Sequence, residues 1–172
     1  MPSSSSSYTY DELRLENHGT FSATTQLLIV KSFVTDGTGK LTVSNGSRVD
    51  VTNFPHSSGR FACDLEIQPG GSLYIYSQPT FVGPGSPTAV IAGILDTREP
   101  ILGEGRALKV ASSGEVRCTN LRLLKGSVVQ VDGDGIIKKS FSHLQLHLSS
   151  LRLDTNAQFV FAQENVTVKA DS

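Results

Sequence analysis

The residues of this chain that could bind a metal ion lie in two short segments. The segment VDGDGI places Asp132 and Asp134 in a glycine-rich turn, where their carboxylates are weak candidates for calcium. The twelve-residue calcium loop also needs further oxygen ligands and a distal glutamate, which this segment lacks. In HLQLHL, His143 and His147 alternate with leucines, so on a strand they lie about 13 Å apart and cannot share one ion. We therefore predict neither a metal site nor a bound cofactor.

The two cysteines could form a disulfide. Cys63 has the same parity as Leu65 and Cys118 the same parity as Val116, so both side chains should face the core. They can bond only if their Cα atoms lie within about 7 Å, and two free thiols are the alternative. We expect no catalytic thiol, because a desolvated thiol is a poor nucleophile.

Four residues could carry or contact a glycan. The sequons NGS and NVT make Asn45 and Asn165 candidates for N-glycosylation. Tyr74 and Tyr76 take the outward positions of the segment LYIY, where aromatic rings could stack on a sugar. Ordinary packing between strands is the other explanation for exposed tyrosines.

Signals of an enzyme are absent. The chain contains no G-x-S-x-G elbow, no phosphate-binding loop and no dinucleotide fingerprint after a strand. Carboxylates could still converge from distant segments, which a linear motif does not reveal. We therefore predict a protein that is not an enzyme, with a polysaccharide-degrading enzyme as the alternative.

One pattern recurs six times and must position any such residues. Two alternating apolar residues, five spacer residues and two more alternating apolar residues form LTVSNGSRVDV, and LEIQPGGSLYI has the same shape. The pairs begin at Leu13, Leu41, Leu65, Leu108, Leu121 and Leu151. A period of two predicts short strands with one buried face. Glycine or asparagine in the spacer supplies the positive φ of a sharp bend, either a corner between two sheets or a hairpin loop.

Composition excludes several classes of function. The chain has 172 residues, a net charge of −1 and 38 % hydrophobic residues, so it is long enough to bury a core. Its lysines and arginines are scattered, with Lys138 and Lys139 as the only adjacent pair, and we expect no nucleic acid or anionic membrane as a partner. No apolar run approaches the roughly 18 residues of a membrane span, so direct insertion is not expected.

The irregular spacing of the pairs favours one architecture. Stacked coils tolerate corner loops of variable length, so we predict an all-β fold, a parallel β-helix or solenoid of short strands with glycine corners. An antiparallel β-sandwich or a β-trefoil is the alternative. We expect a disordered, serine-rich tail or linker at 1–10, a single β-helix domain at 11–170, and a loop excursion at 77–106 that makes the contacts.

The corners KLTVSNGSRVDV and DLEIQPGGSLYI resemble those of parallel β-helix proteins. That group includes bacterial adhesin stalks, phage tailspikes, polysaccharide lyases and animal cell-surface ectodomains. The resemblance implies a rigid stalk or a docking surface for a protein or a glycan. No catalytic motif of the lyases or glycosidases matches any position here.

The location follows from two further features. The sequons favour an extracellular or cell-surface protein, with the cytoplasm as the alternative. The strand-like segment 165–168 would leave an open coil end, so we expect further chain of the same protein to continue the coil.

Overall fold

The computed structural model describes residues 7–36, 39–53, 60–82, 88–97, 99–118, 120–132, 135–138, 150–153 and 158–161. These residues form 21 short strands and no helix. Accordingly, none of them belongs to a helix that could cross a membrane. Every strand pair is parallel. The predicted parallel β-solenoid is thereby confirmed, and the antiparallel sandwich and the trefoil are excluded.

The chain visits three sheets in a fixed order, one strand at a time. Sheet 1 contains β1 (Ser7–Tyr10), β4 (Leu27–Val30), β7 (Arg48–Val51), β10 (Ser72–Ile75), β13 (Ile94–Thr97), β16 (Glu115–Arg117) and β19 (Ile136–Lys138). Sheet 2 contains β8 (Arg60–Phe61), β11 (Thr80–Phe81), β14 (Ile101–Leu102), β17 (Asn120–Leu123) and β20 (Ser150–Leu153). In the first two turns, the strands at the place of sheet 2 are β2 (Leu13–Leu15) and β5 (Phe33–Thr35), which form a separate two-stranded sheet. Sheet 3 contains β3 (Thr20–Ala23), β6 (Lys40–Val43), β9 (Asp64–Ile67), β12 (Thr88–Ile91), β15 (Ala107–Val110), β18 (Val128–Val131) and β21 (Gln158–Phe161).

The core is a set of ladders in which apolar residues from successive turns lie in register. In sheet 3, Leu41 pairs with Leu65, and Leu65 pairs with Ala89; all three are at most 1 % exposed. The rings of Phe33 and Phe61 stack with centroids 4.9 Å apart, and those of Phe61 and Phe81 are 5.2 Å apart. Each turn alone is too small to have a core, so stacking of the turns provides the buried apolar surface.

The five-residue spacers form corners between sheets. Of the two bends that the sequence predicted, the corner is therefore confirmed and the hairpin loop is wrong. Positive φ falls on the third spacer residue, at Gly46 (74°), Gly70 (77°) and Gly126 (68°), and at His18 (62°) and Ser113 (64°). The same repeat pattern occurs at two different corners of the solenoid. The corner after Val43 leads from sheet 3 to sheet 1, whereas the corner at Gly126 leads from sheet 2 to sheet 3.

The predicted tail at 1–10 ends earlier than expected. Residues 7–10 form β1, which pairs with β4 and places Tyr8 and Tyr10 in register with Leu28 and Val30. Alternating aromatic residues suit a strand, and a serine-rich composition concealed this signal. Residues 1–6 lie outside the described residues.

The segment 77–106 is also not the predicted loop excursion. It contains β11, β12, β13 and β14, which continue all three sheets. The repeat pattern missed this turn because only three residues separate Ile91 from Leu95, and because the sheet 2 strands here are two residues long.

One cation is buried inside the solenoid. The side chain of Arg106 is 1 % exposed; its guanidinium donates hydrogen bonds to the carbonyl oxygens of Val82 at 3.2 Å and Cys63 at 2.6 Å. Burial lowers the pKa of Arg106, because the charged form loses solvation. Since these residues belong to three successive turns, Arg106 joins the turns on the side where sheet 2 meets sheet 3.

Candidate functional site

The outer face of sheet 1 brings together charged and aromatic side chains from four turns. The register places Asp50 beside Tyr74, Tyr74 beside Asp96, and Asp96 beside Arg117. Arg48 and Tyr76 adjoin this row on the same face. We call these six residues the Tyr74 cluster. The backbone ladder fixes their spacing at about 4.8 Å per strand, so the cluster is held by the fold itself.

Arg48 organises one side of the cluster. Its Nε lies 2.7 Å from Oδ1 of Asp50 and its Nη2 lies 2.9 Å from Oδ2, so the two side chains form a bidentate pair. Its Cζ lies 4.2 Å from the centroid of the Tyr74 ring, within the range of a cation–π contact. The hydrogen bond to Asp50 raises the pKa of Arg48, which therefore stays charged.

Tyr76 is the part of the cluster that solvent reaches most. Half of the Tyr76 surface is exposed, whereas a smaller fraction of Tyr74 is exposed. The Tyr76 hydroxyl accepts from Nη2 of Arg48 at 3.3 Å and donates to Oδ2 of Asp50 at 3.3 Å. Desolvation and the charge of Asp50 raise the pKa of Tyr76, so the hydroxyl stays protonated at neutral pH. Tyr76 is thus half exposed and hydrogen-bonded at its hydroxyl.

The other side of the cluster contains a second arginine. Nη1 of Arg117 lies 3.9 Å from Oδ2 of Asp96, and Nε pairs with Glu115. Asp50 and Asp96 stand on either side of Tyr74, two strand spacings apart, about 9.5 Å between backbones. Each of the two carboxylates therefore faces an arginine.

Of the two candidate calcium residues, the structure describes only Asp132, which is paired with a lysine. Asp132 is 2.9 Å from Nζ of Lys109 and accepts a hydrogen bond from Gln130 at 2.6 Å. The hydrogen bond from Lys109 lowers the pKa of Asp132. No group of three metal-ligating side chains occurs among the described residues. Asp134, His143 and His147 lie outside them.

The cysteines are buried and free. Cys63 precedes β9 and Cys118 follows β16, so about two and a half turns of roughly 4.8 Å each separate them along the solenoid. That distance exceeds the reach of a disulfide, and the suggested bond between them is not formed. Desolvation raises the pKa of both thiols to about 12, so both are protonated.

The sequon residue Asn45 is exposed at a corner, as its position in the spacer predicted. Its Oδ1 lies 2.2 Å from where a Cβ on Gly70 would stand, so the side chain covers the next corner. Asn165 lies outside the described residues.

Sequence reasoning found the two tyrosines but missed their partners. The middle residue of each apolar pair faces outward, so Asp50 in VDV, Tyr74 in LYI and Arg117 in VRC could have been aligned from the repeat. Asp96 belongs to the turn that the repeat pattern missed. No family, no curated protein and no solved structure matches this chain. A likeness to adhesins or cell-surface ectodomains therefore remains a prediction.

Proposed function

We propose that this chain is a non-catalytic interaction module of a secreted or cell-surface protein and binds a glycan through the Tyr74 cluster. The exposed ring of Tyr76, held beside Arg48 and Asp50, is the observation that supports this. Sugar rings combine an apolar face with hydroxyl groups. An aromatic face beside fixed donors and acceptors is suited to both.

The rigidity of the solenoid supports the proposed binding. Asp50, Tyr74 and Asp96 stand on adjacent strands whose backbones are hydrogen-bonded on both sides. Little conformational entropy is lost when such a surface binds a ligand, and this is the advantage of a rigid scaffold.

The pairing of the two carboxylates with arginines supports binding rather than hydrolysis. A glycosidase needs one carboxyl group that donates a proton and one that acts as base or nucleophile. Both oxygens of Asp50 accept from Arg48, and Asp96 faces Arg117, so each carboxylate is paired with an arginine and not with the other carboxylate. Release of reducing sugar from a bound glycan, lost in Asp50→Asn, would instead support the polysaccharide-degrading alternative.

Glycan binding can be tested with one pair of variants. We expect the wild-type chain to bind a glycan on an array. Tyr76→Ala should raise the Kd for that glycan, measured by calorimetry, at least tenfold, which corresponds to about 1.4 kcal/mol. Tyr10→Ala is the control, because Tyr10 is similarly exposed, at 47 %, and lies on β1, three strands from β10 in the same sheet. The proposal fails if no glycan binds, if both variants bind equally, or if the cluster captures only a protein.

The proposed location predicts a modification. Expressed through a eukaryotic secretory pathway, the chain should gain an N-glycan at Asn45, since this side chain is exposed at a corner. Enzymatic removal of N-glycans should reduce the mass of the wild type, and Asn45→Gln should lose the glycan at this position. Secretion of folded chain with Asn45 unmodified would remove this support.

A further inference from the structure

The strands of sheet 2 contain basic residues and no acidic ones. Their sequences are RF, TF, IL, NLRL and SLRL, with three arginines and neither aspartate nor glutamate. The strands of sheets 1 and 3 contain charges of both signs. The charged residues within the sheet 2 strands are therefore all basic, in a chain whose net charge is −1.

These arginines occupy one row of the sheet. The register runs from Arg60 through Thr80 and Ile101 to Arg122, and then to Arg152. We call this the sheet 2 row. With strands about 4.8 Å apart, Arg60 and Arg122 are separated by about 14 Å, and Arg152 takes the position next to Arg122. Scattered in sequence, the three residues are brought into line by the turns.

Arg60 and Arg122 differ from the other arginines with described side chains, because no described carboxylate pairs with them. Both are exposed, and neither forms an ion pair with a described residue. The other arginines with described side chains pair with carboxylates or carbonyls, namely Arg14, Arg48, Arg106 and Arg117. Elsewhere in the described structure arginine charge is compensated, so the sheet 2 row stands out.

A bound anion would neutralise the exposed arginines of this row. A spacing of about 14 Å between Arg60 and Arg122 lets each of them bind a different anionic group of one extended ligand. Guanidinium groups bind sulfate and carboxylate with paired hydrogen bonds. We infer that the sheet 2 row binds a linear anionic polysaccharide bearing sulfate or carboxylate groups, on a face separate from the Tyr74 cluster.

The chemistry of the row argues against nucleic acid. Single-stranded nucleic acid is held largely by stacking of bases on aromatic side chains. The row offers Thr80 and Ile101 between its arginines, and no aromatic residue. The two exposed arginines with described side chains are too few for the many phosphate contacts on which strong duplex binding depends.

The inference can be tested by retention on immobilised heparin. At about 50 mM salt we expect the wild type to be retained, and Arg60→Gln/Arg122→Gln to bind at least tenfold more weakly. Arg14→Gln is the control, since it removes an exposed charge that is already paired with Glu12 and Glu16. Because both substituted positions are exposed, we expect the variants to fold, and thermal melting followed by circular dichroism verifies this.

Several results would overturn the inference. These are no retention of the wild type, equal loss in the Arg14→Gln control, or the same elution salt on a plain sulfonate resin. Equal affinity for single-stranded DNA would also reject a polysaccharide as the specific ligand. Tyr76→Ala should leave retention unchanged, so failure here is distinguishable from failure of the proposed function.

Discussion

Leu65→Asp is expected to prevent the chain from folding. Leu65 is 1 % exposed and packs in the inner ladder of sheet 3, between Leu41 below and Ala89 above. A carboxylate there has no partner, and burying it unpaired costs several kcal/mol even when it is protonated. A domain stable by about 5–15 kcal/mol loses much of that margin at once.

The matched control is Tyr74→Ser on the neighbouring strand of the same turn. Tyr74 faces outward, so its loss removes the cation–π contact with Arg48, worth about 1 kcal/mol. Urea unfolding followed by circular dichroism should show a folded Tyr74→Ser and no cooperative transition for Leu65→Asp. Similar transitions in the two variants would contradict the inward and outward positions assigned to these strands.

The sequence predicted the architecture because the buried and exposed positions obey a short rule. Alternation around a five-residue spacer identified strands such as β6 and β7, and the corner between them. It also placed Tyr74 and Tyr76 on the outer face. These features are local, since they depend on the pleat of a strand and on the φ of one corner residue.

Features that depend on register between turns were not predicted. Successive turns return to sheet 3 after 19 residues from Ala89 to Leu108, but after 30 from Val129 to Phe159. Because corner loops absorb this difference, sequence spacing does not tell which outward residues are neighbours. Hence the Asp96 part of the Tyr74 cluster and the alignment of Arg60 with Arg122 emerged only from strand pairing.

Gly114 shows the same difference between local features and contacts between turns. Gly114 was expected to supply the positive φ of its corner, but Ser113 has that conformation. Gly114 is required for a different reason, because its backbone lies against the preceding turn. A Cβ on Gly114 would stand 2.0 Å from the carbonyl oxygen of Ile91 and 2.9 Å from that of Ala111.

Gly114→Ala is accordingly expected to lower the free energy of unfolding by about 3 kcal/mol or more. The Ile91 oxygen cannot simply move away, since it accepts the hydrogen bond from the Ala111 nitrogen at 2.8 Å that joins the two turns. Relief of the clash must either break that bond or increase the spacing between turns. Urea unfolding of the variant and the wild type measures the loss.

Gly46→Ala is the control that separates close packing from backbone strain. Gly46 has φ of 74°, but no atom lies within 4 Å of the place where its Cβ would stand. An alanine there is strained by about 1–2 kcal/mol and meets no clash. A larger loss for Gly114→Ala would show that contact between turns, and not corner conformation, sets the tighter limit on residue choice. Equal losses would mean that the turns can separate at this corner at little cost, which is incompatible with the hydrogen-bonded stacking described above.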